Sequence, residues 1–378
     1  MDHKGHDEGM PERPAVPRLP AMICKVTGTL GIDAAYKMLD QDADTLDVAL
    51  HVCKTQEDDP NDHATGLGGL PNADGQVYLD ACCVHGPTRR VAAVASVSGI
   101  RNASLLARAL MDHTGNALLV GSDAQAFALA HGFAKEDLLT DRTRKNYELW
   151  KRIRSHPELV EMGSSDSSRR ERPLNAGFEP DNQKDLDLLI RKIEPLAAQT
   201  GLGPQATWRA SLDALMPASE PLYVSAIDRK GQISAASTSS GQPWRMAGVA
   251  SDVATIGAGC YVDPEVGSAG GSGNAEANIK IAGAHTIVEN MRKGMSPEDA
   301  GMDALRRIAR WYNNDKRSLR SIEMVYYVMR KDGAYGGVSL WRGDRTNHVR
   351  QFTVMDGELS RRTEDCLFLF PSSPLNAA

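Results

Sequence analysis

The sequence predicts an α/β or α+β fold of at least two layers. Two observations lead there. Segments with helical apolar spacing and segments with two-residue alternation occur in both halves of the chain. A charged, broken middle separates the halves, so each half can supply its own sheet and covering helices. Two such sheets face to face would make a four-layer αββα sandwich.

The first block occupies residues 22–140. Residues 31–39 and 45–52 carry helical spacing, and the turn-rich run 66–75 follows. Residues 77–84 and 91–97 read as two strands joined at His85-Gly86-Pro87. Asn102 is a candidate cap for a helix reaching His113, and Gly115 fits its exit. A short strand at 117–120 leads into a second helix ending near Gly132.

The middle, residues 141–220, reads as a variable polar linker with helices at 185–198 and 207–215 and a solvated loop at 164–170. The second block, 221–378, opens with strands at 222–228 and 231–237. One long helix is expected from Asn274 to Gly294. Ser296-Pro297-Glu298-Asp299 then reads as a capping box with proline at the first helical position. Strands near 324–329, 336–341 and 348–354 close the chain.

Composition narrows the function. Hydrophobic residues make up 41% and charged residues 24%, a soluble globular balance. A net charge of −6 argues against a general nucleic-acid binder. No apolar run approaches bilayer length, so no membrane partner is expected. Residues 1–21 are polar and proline-rich without an apolar signal core; they read as a flexible leader on a cytoplasmic protein. Of the six cysteines none forms a CxxC pair, and the reading is buried free thiols, with Cys82 and Cys83 on opposite faces of a strand. The ten histidines lack metal-ligand spacing, and no Walker loop or GxSxG elbow occurs, so no metal or other cofactor is expected.

Two glycine-rich stretches remain. Gly270-Gly271-Ser272-Gly273-Asn274 precedes a predicted helix; it reads either as a tight turn or as backbone N–H groups presented to an anion. Gly257-Ala258-Gly259 reads equally as close backbone packing.

These stretches also carry a resemblance. Residues 65–71 (TGLGGLP), 79–81 (LDA), 91–94 (VAAV), 100–102 (IRN) and 118–121 (LLVG) resemble the α-subunit of glycosylasparaginases. Residues 228–241 (DRKGQISAASTSSG), 257–261 (GAGCY), 272–274 (SGN) and 334–337 (AYGG) resemble the β-subunit, in the same order and at nearly constant spacing. The chain is thus similar to the glycosylasparaginase and isoaspartyl-peptidase asparaginases, which are N-terminal-nucleophile hydrolases.

The resemblance implies the four-layer αββα fold over residues 22–378, a homodimer, and hydrolysis of the side-chain amide of asparagine or N-acetylglucosaminyl-asparagine. In that family the precursor cleaves itself before a threonine whose hydroxyl then attacks the amide. Counting back from Gly231 puts that threonine at Pro221, which has no hydroxyl. Standard catalysis is therefore expected to be lost, with an uncleaved binding or scaffold protein as the alternative function. The threonine that supports the nucleophile matches Ser237. The arginine that clamps the substrate carboxylate matches Val249, with Arg245 four residues upstream as the nearest substitute. The aspartate that takes the substrate ammonium matches Asp252, and the Thr-Gly pair around the oxyanion matches Ser272 and Gly273. The substrate-contacting tryptophan is missing near residues 25–28. Ser219 is a candidate replacement nucleophile and Ser225 a weaker one.

Overall fold

The computed structural model describes residues 18–156, 159, 183–215 and 220–374. Thirteen strands are described, and they form two mixed sheets. The large sheet is built on β1 (Ala21–Lys25), β2 (Tyr78–His85), β3 (Arg90–Ser98), β4 (Leu118–Val120), β5 (Leu222–Ile227) and β6 (Ile233–Ser239). It is completed by β11 (Gln351–Asp356) and β12 (Glu358–Asp365), in the order β12-β11-β1-β5-β6-β2-β3-β4. The small sheet holds β7 (Cys260–Asp263), β8 (Gly267–Gly273), β9 (Met324–Arg330), β10 (Tyr335–Trp341) and β13 (Leu367–Phe370), in the order β13-β10-β9-β8-β7.

Helices α1 (Thr29–Asp40), α2 (Thr45–Glu57), α3 (Ala103–His113) and α4 (Gly121–Ala130) cover the outer face of the large sheet. The middle contributes α5 (Asp141–Arg154), α6 (Gln183–Gln199) and α7 (Pro204–Leu215). On the outer face of the small sheet lie α8 (Ala275–Ile281), α9 (Gly283–Arg292) and α10 (Pro297–Trp311), and the short α11 (Lys316–Leu319) follows. Three apolar layers result: α1–α4 against the large sheet, sheet against sheet, and α8–α10 against the small sheet. This is the expected αββα sandwich. The middle is less broken than its composition implies: α5, α6 and α7 bury a fourth cluster with Leu70 and Trp244, in which Trp150 stacks on Trp244 at 5.2 Å.

Strand alternation explains the layers. On β5 and β6, Tyr223, Ile227, Ile233 and Ala235 face the small sheet, while Leu222, Val224 and Ala236 face the helices. Cys82 and Cys83 divide in the same way, and all six cysteines are buried and free.

Several boundaries differ from the sequence reading. Residues 18–21, counted with the leader in the sequence reading, belong to the fold: Pro20 accepts a hydrogen bond from Tyr36 at 2.9 Å, and β1 starts at Ala21. The single helix expected over 274–294 is two helices, broken at Ala282, which takes φ 47°. The glycine run 270–273 is not a tight turn but the end of buried strand β8, and it leads as expected into a helix, α8, whose N-cap Asn274 accepts from Ala277 N at 2.8 Å. Asn102 precedes α3 without capping it; its side chain donates instead to Asp58 at 3.0 Å. The Ser296 cap is as expected, accepting from Asp299 N at 3.1 Å.

Among the described residues no helix is long and apolar enough to cross a membrane, and no His/Cys/Asp/Glu group could hold a metal ion.

Candidate functional site

Pro221 is buried at the head of β5, which runs between β1 and β6 at the centre of the large sheet. The residue before it is clamped from β1. Lys25 Nζ donates to the Glu220 carbonyl at 3.0 Å and to Glu220 Oε2 at 3.1 Å, and Lys25 is only 7% exposed. The Lys25 ammonium holds the Glu220 carboxyl well below the usual range against partial desolvation, and Arg350 and Arg209 add to the effect.

Ser237 faces the gap between the sheets and donates its hydroxyl to the Leu222 carbonyl at 2.7 Å, just past Pro221. The pairing of Leu222 with Thr238, carried on by one residue, sets Ser239 across from Pro221. Ser239 is fully buried, and its Oγ accepts from Gly241 N at 2.8 Å. The sequence reading missed this residue. Ser237 and Ser239 share one strand face, and only the register decides which lies opposite position 221.

Asp252 opens a 3-10 turn, Asp252–Ala254, and is fully buried. Its Oδ2 accepts from Asn278 Nδ2 at 2.6 Å, while Oδ1 has no protein partner. Burial pushes its carboxyl up to about 6, although the Asn278 bond opposes the shift. Asn278 is itself fixed: its amide also donates to Ala258 O at 3.0 Å, and its oxygen accepts from Tyr326 at 2.7 Å. Of its two oxygens only Oδ2 is therefore committed within the protein.

Ser272 and Gly273 end β8, in register with Val325 and Met324. Asn274 N donates to the Glu323 carbonyl at 2.7 Å, and a Cβ on Gly273 would overlap that carbonyl. Only glycine allows this approach, and Gly273 also takes φ 137°. Strand β8 thus spans the site, with Gly271 against Asn278 at one point and Gly273 against Glu323 at the next.

Arg245 is 2% exposed and already committed. Its Nη1 lies 2.9 Å from Asp80 Oδ2, and its Nη2 donates to Tyr78 O at 3.2 Å. Asp80 also accepts from Ser251 N at 2.9 Å and Ser96 N at 2.8 Å. The guanidinium therefore ties the loop after β6 to β2, and turning it toward a substrate carboxylate would strand Asp80. The Val249 side chain supplies no donor. Ser225 is buried between the sheets, 2.6 Å from Ser268 Oγ. Ser219 lies outside the described residues.

The structure thus places Pro221, Ser237 and Ser239 together at one end of β5 and β6. It sets Ser272 and Gly273 beside the Glu323 backbone, and Asp252 on the Asn278–Tyr326 network. A family profile described as Asparaginase matches residues 29–316. The chain belongs to the asparaginase family. Among relatives of this asparaginase-family chain is an N(4)-(beta-N-acetylglucosaminyl)-L-asparaginase of Elizabethkingia miricola, 29% identical over 309 residues, 82% of this chain and 75% of the relative. A probable isoaspartyl peptidase/L-asparaginase 3 of Arabidopsis thaliana is 24% identical over 339 residues, 86% and 87% of the two chains. The Mus musculus N(4)-(beta-N-acetylglucosaminyl)-L-asparaginase is 27% identical over 283 residues, covering 75% of each.

Proposed function

We propose that this asparaginase-family chain stays intact across Glu220–Pro221 and binds a small molecule without hydrolysing it. The family's reaction, hydrolysis of the side-chain amide of asparagine or its N-acetylglucosaminyl derivative, is the one from which it departs. Pro221 is the observation that carries the reading. Self-cleavage before residue 221 needs a hydroxyl or thiol there to take the acyl group, and the same atom must later attack the amide. Proline offers neither. Two further features support the reading. The Lys25–Glu220 contacts hold the junction closed, and Arg245 is engaged by Asp80 where a carboxylate clamp would be needed. On this reading Asp252, Ser237, Ser272 and Gly273 would supply the polar contacts for the ammonium and amide ends of such a ligand, with Arg245 and Val249 no longer serving the carboxylate. The buried free thiols fit a reducing compartment and so a cytoplasmic location. An uncleaved homodimer is the assembly this reading carries over from the family.

The test is turnover and binding together. Purified chain is expected to release no ammonia from asparagine and no aspartate from N-acetylglucosaminyl-asparagine, and calorimetry with free asparagine or aspartate is expected to show weak binding at most. Steady product release, or tight binding of either amino acid, would overturn the proposal.

A further inference from the structure

On the outer side of the small sheet, helices α8 and α10 both end beside an open groove of about 770 Å³. One wall is residues 279–282, from the last turn of α8 to the bend at Ala282. The other is the Arg307, Arg310 and Trp311 face of α10. The fold makes no use of the largest apolar groups here. On α10 the stripe Ala300, Ala304 and Ile308 packs on the small sheet and is continued by Tyr312, whereas Trp311 is left 61% exposed. On α8, Ala277 and Ile281 join the same cluster, whereas Ile279 is left 43% exposed. An open indole beside an open isoleucine, ringed by basic side chains, has the composition of a binding hot spot.

The charge around it has one sign. Lys280, Arg307 and Arg310 line the groove, and among the described residues no carboxylate does. Arg307 meets Asp303 at 2.8 Å. Lys280 Nζ stands 5.2 Å over the Tyr312 ring and has no carboxylate partner among the described residues, and the exposed Arg310 forms no ion pair among them. Basic residues at helix ends ordinarily serve the macrodipole, which amounts to roughly half a negative charge per end. Two such ends and Asp303 still leave the three cations in excess, in a chain whose net charge is −6. The complement is therefore acidic. Its shape follows from the walls. Ile279 and Trp311 line a trough between two helix ends, which a flat lipid surface would leave uncovered. A short extended segment can lie along it, with one apolar side chain down and carboxylates toward the rim.

We propose that this groove docks an acidic peptide segment of another protein, with an aromatic or aliphatic side chain against Trp311 and Ile279 and flanking carboxylates on Lys280 and Arg310. The groove includes no residue of the site around Pro221, so the inference holds whether or not the chain is cleaved there.

The experiment pans a displayed library of random dodecapeptides on the whole purified chain and, in parallel, on the Trp311→Ser/Arg310→Glu chain. Both side chains are exposed, so the variant is expected to melt with the wild type; Arg310→Gln serves as a milder variant. Enriched sequences are expected to carry several Asp or Glu around one aromatic or aliphatic residue, and to be lost on the variants. The consensus peptide is then synthesised and measured by calorimetry. It is expected to bind one to one and to weaken with added salt. Affinity should fall at least about tenfold on Trp311→Ser, or when the peptide's carboxylates are replaced by amides. Absence of enrichment, a consensus without acids, or an affinity unchanged by the variants overturns the proposal. So does sedimentation with anionic vesicles that Trp311→Ser abolishes, which would assign the surface to a membrane. A wild-type dimer that Trp311→Ser converts to monomer would assign it to a second copy, and overturns the proposal as well.

Discussion

Glu57, at the end of α2, carries a carboxylate that is fully buried. Oε1 accepts from Ser104 N at 2.9 Å and Thr238 Oγ1 at 2.6 Å, and Oε2 from Ser104 Oγ at 2.8 Å. It therefore joins α2 to the start of α3 and to β6. Burial pushes its carboxyl up to about 7 from 4.5, with the three hydrogen bonds opposing. A raised carboxyl favours the native state while protonated, so its contribution is complete below about pH 4.5 and is lost as pH rises through 7. The shift corresponds to about 3 kcal/mol. Urea unfolding of Glu57→Gln against the wild type should thus move in favour of the variant by about that amount between pH 4 and pH 8. A difference independent of pH would contradict the assignment. Asp252, raised to about 6 by burial, works in the same direction. The Arg245–Asp80 pair, 3% and 0% exposed in its side chains, is a second residue-scale test. Arg245→Met leaves Asp80 buried and uncompensated, a loss of about 3–5 kcal/mol. Asp80→Asn/Arg245→Met should lose less than the two single variants combined.

At the scale of elements, the break between α8 and α9 shows where periodicity stops being informative. The apolar spacing over 274–294 is continuous and reads as one helix. What interrupts it is tertiary: Asn278 turns its amide into the Asp252 network, and a side chain at 283 would overlap both Asn278 and Tyr326. Ala282 absorbs the bend in the left-handed region. Ala282→Gly removes that strain and is expected to raise stability by about 1 kcal/mol in chemical unfolding; a loss would mean that the bend is held by something other than backbone geometry. Strand β8 was hidden for a related reason. Gly-Ser-Ala-Gly-Gly-Ser-Gly has no strand propensity, yet its glycines let Tyr223, Tyr326 and the Glu323 carbonyl approach the backbone. Strands with branched and aromatic residues, such as β5 and β9, were legible as short apolar runs. Of the site, position 221, Asp252, Ser272 and Gly273 were singled out only through the family resemblance, by matching its motifs along the chain. The role of Ser239 depends on register, and the engagement of Arg245 on an ion pair 165 residues distant in sequence; neither is written in a local pattern.

Taken as a whole, the molecule is a two-sheet α/β member of its family with Pro221 at the head of β5, where the proposed reading puts the departure from the family's reaction. The large sheet carries Pro221, Ser237 and Ser239, the small sheet Ser272 and Gly273, and the sheet-to-sheet core fixes them relative to one another. Restoring one atom set is therefore not expected to restore turnover. Pro221→Thr supplies a hydroxyl, but Val249 and the committed Arg245 leave a substrate carboxylate without a guanidinium. The single variant should release no ammonia from asparagine, and measurable release would show that the carboxylate contact is dispensable. The central claim, an intact chain across Glu220–Pro221, is tested most directly by intact mass spectrometry of freshly purified protein. One species of 40.9 kDa is the predicted result. Two fragments, the second beginning between residues 219 and 225, would contradict it and reveal a nucleophile other than the one the family uses.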